Sequence, residues 1–145
     1  MNTIRLLTVL NVILLLLPGC KDKPLPPPES KLLDPNGSFT LYVSNQSFAI
    51  SPVDIQVEID GEVVIREYFD VANQHNWKAF KLSLSPGQHK LKVSSVKGNA
   101  ELSKEFDVTD EHWAVVDYWY YPKSHYNPTP KKLTFDIQDT PIRFQ

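Results

Sequence analysis

The side chains able to do chemistry are few and scattered: one thiol, Cys20, and four imidazoles, His75, His89, His112 and His125, in 145 residues. Serine and aspartate are also present, but nucleophilic acyl transfer by serine needs a strained turn of the GxSxG kind to expose its hydroxyl, and the chain has none. No histidines follow the HExxH spacing that sets two imidazoles on one helix face. Each lies beside a different expected strand or turn, so they read as solvated or rim residues. Asp107, Asp110 and Glu111 form an acidic connector, but Ca2+ takes about six to eight oxygens and no metal site is assigned. The five glycines are isolated from one another, which leaves no phosphate-binding loop. A single Cys permits neither an intrachain disulfide nor a Cys-rich zinc cage. Lys plus Arg number 15 against 17 Asp plus Glu, a formal charge of -2, which is not the basic footprint of a nucleic-acid binder. The expectation is a chain with no catalytic site, no cofactor and no nucleic-acid partner.

Cys20 gains its meaning from what precedes it. Arg5 opens a run from Leu6 to Leu17, LLTVLNVILLLL, that is apolar except for Thr8 and Asn11. At about 1.5 Å per residue this run is too short to cross a hydrocarbon layer about 30 Å thick, but it suits the apolar region of a secretory signal. Leu17-Pro18-Gly19-Cys20 follows at once, then polar Lys21-Asp22-Lys23. This resembles the lipobox of bacterial lipoproteins, with Leu three places before Cys and a small residue just before it; Pro18 is the departure. The resemblance implies diacylglycerol on the Cys20 thiol and cleavage that makes Cys20 the first residue. Lipidation would consume the thiol and exclude it from nucleophilic catalysis. Removing residues 1–19 takes away one cation, Arg5, and leaves 126 residues with 14 Lys plus Arg against 17 Asp plus Glu. That balance does not favour electrostatic attachment to anionic lipid, so the acyl chains must anchor the protein to the membrane. In diderm bacteria a residue other than Asp after the lipidated Cys, here Lys21, resembles the outer-membrane sorting pattern.

The chain then divides by composition. Residues 1–19 read as the signal peptide and 20–37 as the lipidated terminus with a Pro-rich spacer, because Pro24, Pro26, Pro27, Pro28 and Pro35 remove backbone donors and favour extended chain. Residues 38–145 read as the folded domain. Val53, Ile55, Val57 and Ile59 alternate with Asp54, Gln56, Glu58 and Asp60, and the same period recurs along the domain, the mark of half-buried strands. Strands are expected at 38–45, 53–59, 63–69, 77–84, 89–96, 101–108, 112–121 and 131–138, with an edge piece at 142–144. Seven or eight antiparallel strands fit an all-β sandwich of the immunoglobulin or fibronectin type, with a small barrel as the alternative. The Cys-Trp-Cys pattern of antibody domains is absent.

One hairpin sets two rules against each other. Asp60-Gly61 favours a two-residue turn with Ile59 opposite Glu62, which puts a carboxylate on the apolar face. Burial favours a three-residue connection, or an equivalent bulge, that pairs Ile59 with Val63, Val57 with Ile65 and Val53 with Phe69. The burial register, with Ile59 and Val63 inside, is the expected one.

The richest aromatic region holds Trp113, Tyr118, Trp119, Tyr120, Tyr121 and Tyr126. One reading puts Val115 and Trp119 in the core with the tyrosines at its rim. The other makes Trp113, Tyr118, Tyr120, Tyr121 and Tyr126 a shallow binding surface, joined by Trp77 if its loop ends at the same pole. Two functions follow from the whole: a lipid-anchored, non-catalytic envelope protein whose sandwich contacts another protein, or a carbohydrate-binding module on a lipid anchor.

Overall fold

The computed structural model describes residues 24–72, 76–123 and 128–143. Its strands are β1 (Phe39–Asn45), β2 (Val53–Ile59), β3 (Glu62–Phe69), β4 (Lys78–Leu82), β5 (Gly87–Ser95), β6 (Ala100–Val108), β7 (His112–Tyr121) and β8 (Thr129–Gln138). Each lies where the alternation places it. In β2 the four aliphatic side chains are fully buried while Asp54, Gln56 and Glu58 stay half-exposed, as a period of two demands. The edge piece expected at 142–144 is not strand at residues 142 and 143.

The strands form two sheets, ordered β4-β1-β7-β8 and β3-β2-β5-β6. Phe39, Leu41, Val43 and Val116 from the first meet Ile55, Val57, Leu91 and Val93 from the second in one apolar cluster. The molecule is therefore an all-β sandwich, with two separate sheets in place of a barrel. All pairings are antiparallel except β1 with β7, where Leu41 lies opposite Ala114. The strand partition differs from that of a constant-type immunoglobulin domain, which keeps its first two strands in one sheet. Here the chain crosses between sheets directly after β1. At one pole lie the ends of β1, β3, β5 and β7 and the connections 46–52 and 96–99; the opposite pole holds 60–61, 83–86 and 109–111.

The hairpin between β2 and β3 satisfies both competing rules. Asp60 and Gly61 have φ of 52° and 85°, so the loop is a two-residue turn of the kind that suits the strand twist, and Ile59 does sit opposite Glu62. A bulge then shifts the register: Glu58 pairs with Val63 and Val57 with Ile65. From there on the pairs are those that burial requires, including Val53 with Phe69. The expected inward position of Val63 is corrected. Val63 is half-exposed, and the extra residue, Val64, is buried beside Ile65. Glu62 finds its own solution, because its carboxylate accepts from Ser30 Oγ and Lys31 N, both at 2.7 Å.

Those two donors belong to the segment expected to be a free spacer. From Ser30 onward it is attached to the sandwich. Asp34 N donates to Lys81 O, Ser83 N donates to Leu32 O, and Leu33 bridges Leu82. The prolines kept this stretch out of the regular sheets, but Leu32 and Leu33 supply apolar area that packs against the core. Gly37 closes the approach to β4: a Cβ there would lie 2.1 Å from Leu82 O.

Candidate functional site

β7 carries large side chains on both faces, and the sheet assigns them. Ala114, Val116 and Tyr118 point into the sandwich and are fully buried. Val115, Asp117, Trp119 and Tyr121 point to the outer face and are half-buried. The reading that put Val115 and Trp119 in the core is thus inverted. Tyr118 leaves the proposed binding surface because it shares parity with Ala114 and Val116. Its hydroxyl donates to Gly98 O at 3.1 Å and so ties β7 to the turn between β5 and β6. Burial, with a smaller contribution from Tyr120, pushes its pKa above the ordinary tyrosine value.

The outer face of the β4-β1-β7-β8 sheet is organised around Asp117. Its Oδ1 accepts from Ser44 Oγ at 2.5 Å and from Trp77 Nε1 at 3.0 Å. Gln46 Nε2 in turn donates to Ser44 Oγ at 2.7 Å. Burial raises the Asp117 pKa above the usual aspartate value, hydrogen bonds from Ser44 and Trp77 pull it partway back, and the charge of Asp136 adds to the rise. Trp77, just before β4, therefore does join the face. A groove of about 200 Å³ runs there, between Trp77, Asp117, Asp136 and Ile142.

Further along the same face Trp119 Nε1 donates to Thr134 Oγ1 at 3.3 Å, and the Trp119 and Tyr121 rings lie 6.3 Å apart with a 49° tilt. Tyr121 Oη donates to Gln46 O. Tyr120 points the other way, packs at the edge of the core and receives the Lys131 ammonium 5.4 Å from its ring centroid. Trp113 is half-buried on the outer face, in register with Thr40 and Gln138. The structure thus brings Trp77, Trp113 and Tyr121 to one face, adds Trp119, and separates Tyr118 and Tyr120 from it. Among the described residues every buried side-chain nitrogen and oxygen has a hydrogen-bond partner. Cys20 and Tyr126 lie outside the described residues.

Sequence reasoning missed Asp117 as the hub of this face, since its partners come from β1 and from the residue before β4. It also missed His89, expected to be a solvated or rim residue. His89 is buried, with Nδ1 2.6 Å from Asp60 Oδ2 and Nε2 2.7 Å from Ser85 O. Both atoms facing the ring are acceptors, which favours the imidazolium. Burial pushes the His89 pKa down, but the contacts with Asp60 and Ser85 outweigh it and leave the value raised. His112 Nδ1 is 3.3 Å from Asp110 O, while His75 and His125 lie outside the described residues. Among the described residues no three His, Cys, Asp or Glu side chains gather as a metal site requires. Comparison with protein-family models, curated proteins and solved structures found no match to this chain.

Proposed function

We propose that this chain is a lipid-anchored, non-catalytic protein of the bacterial envelope whose sandwich binds another protein through the outer face of the β4-β1-β7-β8 sheet. The supporting observation is the construction of that face. Trp77 and Trp119 turn their N–H groups inward to Asp117 and Thr134, and Tyr121 turns its hydroxyl to Gln46, so ring carbon is what remains at the surface. Large aromatic groups held in place lose little conformational freedom on binding, which is why such residues anchor protein interfaces. The 49° tilt between Trp119 and Tyr121 disfavours the flat platform on which a sugar ring stacks, so a protein partner is preferred to a glycan. Anchoring rests on the Leu17-Pro18-Gly19-Cys20 match, and Lys21 points to the outer membrane in a diderm cell.

The test is capture of partners from envelope extract with the lipidated protein, alongside its Trp119→Ala variant and a glycan array. A discrete protein retained by the parent and lost by the variant supports the reading. Binding on the glycan array with no protein captured overturns it in favour of a carbohydrate-binding module. Intact-mass analysis of the membrane-extracted chain checks the anchor: residues 1–19 should be absent and acyl mass present at Cys20.

A further inference from the structure

The described chain begins beside the pole that carries its two most exposed large apolar side chains. Pro24, Leu25 and Pro27 lie against Arg66, Glu67 and Tyr68, in the final part of β3, and Leu25 shares a hollow with Val96. Ser30 bonds Glu62, where β3 starts. The segment therefore runs antiparallel to β3. Followed back to Pro24, it approaches the pole formed by the connections 46–52 and 96–99.

Phe48 and Val96 sit on those two connections and are 60% and 87% exposed. Neither exposure comes from a slack loop. Asp54 holds the 96–99 turn by accepting from Ser95 Oγ at 3.0 Å, Val96 N at 2.9 Å and Lys97 N at 2.8 Å. The loop around Phe48 is braced by Asn45 Nδ2 donating to Ile50 O at 2.8 Å and by Ser47 Oγ accepting from Ala49 N at 3.2 Å. Both connections thus present an apolar side chain outward on a fixed backbone.

Cys20 precedes Pro24 by four residues. An extended chain spans at most about 3.6 Å per residue, so Cys20 lies within about 14 Å of Pro24. We propose that this pole rests on the lipid surface, with Phe48 and Val96 dipping into the headgroup region beside the acyl chains on Cys20. The inference builds on the lipidated Cys20 of the preceding section. Acyl chains inserted in the bilayer hold this pole near the interface, where small apolar contacts add to anchoring because the tether has already met the cost of encounter. Lys97, next to Val96, brings an ammonium to the same level as lipid phosphates; it lies 5.3 Å from the Tyr68 ring centroid. The strands then stand away from the membrane, and the aromatic face looks sideways.

Lipidation consumes the single native thiol, so an introduced Cys is the one site open to a thiol-reactive fluorophore. Full-length lipidated Phe48→Cys, Val96→Cys and Thr109→Cys proteins are labelled and placed in phosphatidylethanolamine and phosphatidylglycerol vesicles containing nitroxide lipid. Thr109 lies at the opposite pole, more than one strand length from the proposed contact. Quenching at positions 48 and 96 should exceed that at 109 by about threefold or more, since a strand of nine residues spans about 30 Å. Equal quenching at the three positions, with acyl mass confirmed on Cys20, overturns the pole assignment and leaves the anchor intact. A free Cys20 thiol in membrane-extracted protein overturns the anchor reading and this inference with it.

Discussion

The two outer faces of the sandwich alternate with the same core, yet they meet their surroundings in opposite ways. On the β3-β2-β5-β6 sheet most outward side chains are charged or polar, with Val63 and Tyr68 of β3 as the exceptions. Glu58 lies opposite Lys92, Lys90 opposite Glu105, and Arg66 Nε donates to Gln56 Oε1 at 2.9 Å. Such groups are open to water, Arg66 and Gln56 also satisfy one another across strands, and the face asks nothing of a partner. On the β4-β1-β7-β8 sheet the outward set is rich in rings, the indoles of Trp77, Trp113 and Trp119 and the phenols of Tyr42 and Tyr121, around the half-buried Asp117 carboxylate, with hydrogen bonds that run along the sheet. The difference teaches that strand periodicity decides which side chains face out, while the chemistry of the outward set decides whether that face is a solvated wall or a contact surface.

Neighbouring residues of β7 provide the strongest test of that contrast. Tyr118→Ala empties a core position and should destabilise the fold by about 3–5 kcal/mol. Trp119→Ala removes a larger ring from the outer face and should cost less than half as much while abolishing partner capture. Urea unfolding of both variants measures the difference, and equal losses would place Trp119 in the core in energetic terms.

Asp117→Ala comes next in size. It leaves the Trp77 N–H and the Ser44 hydroxyl without their shared acceptor and should cost about 1–3 kcal/mol. Glu105→Ala, on the solvated face, should stay within about 0.5 kcal/mol of the parent. A comparable loss at both positions would erase the distinction between the faces.

Stability should also depend on pH through one buried imidazole. His89 belongs to the second sheet but shares the buried, hydrogen-bonded character of Asp117. Its folded pKa lies above the ordinary 6.5, so its contribution is fully present below that value and is lost as pH rises through the folded value. Thermal unfolding from pH 6 to 9 should therefore show stability falling in the parent above pH 6.5 and a flatter profile in His89→Gln. Asp117, a carboxyl with a raised pKa, gives the same sign in a more acidic window: its protonated form favours the fold, and stability declines as pH rises from 3.8 through its folded value. A parent profile that rises from pH 6.5 upward and matches that of His89→Gln would contradict the imidazolium assignment.

The smallest expected effect is on the charged face. Lys92→Ala, which removes the charge opposite Glu58, should cost no more than about 0.2 kcal/mol, and less at high salt. A loss above 2 kcal/mol, read from the same urea curves, would show that this face is structural in a way its exposure does not suggest.

The sequence by itself determined much of the local architecture. Alternating aliphatic and polar residues located the eight strands, because a half-buried sheet needs that period of two. Asp60-Gly61 located a tight turn, because both of its residues adopt positive φ. Competition between turn and burial was legible as a conflict, though only the folded chain showed the resolution, a bulge that buries Val64. Which parity of β7 is core was only weakly legible, since apolar and aromatic residues occupy both and the carboxylate of Asp117 is the single local mark of the outward one. Tertiary structure alone decided how strands divide between the sheets, and it drew the leucines of the supposed spacer onto the core. Asp117 became the centre of a face through Ser44, 73 residues away, and Trp77, 40 away. Periodicity constrains a residue relative to its neighbours in the chain, whereas those contacts depend on strands distant in sequence lying side by side.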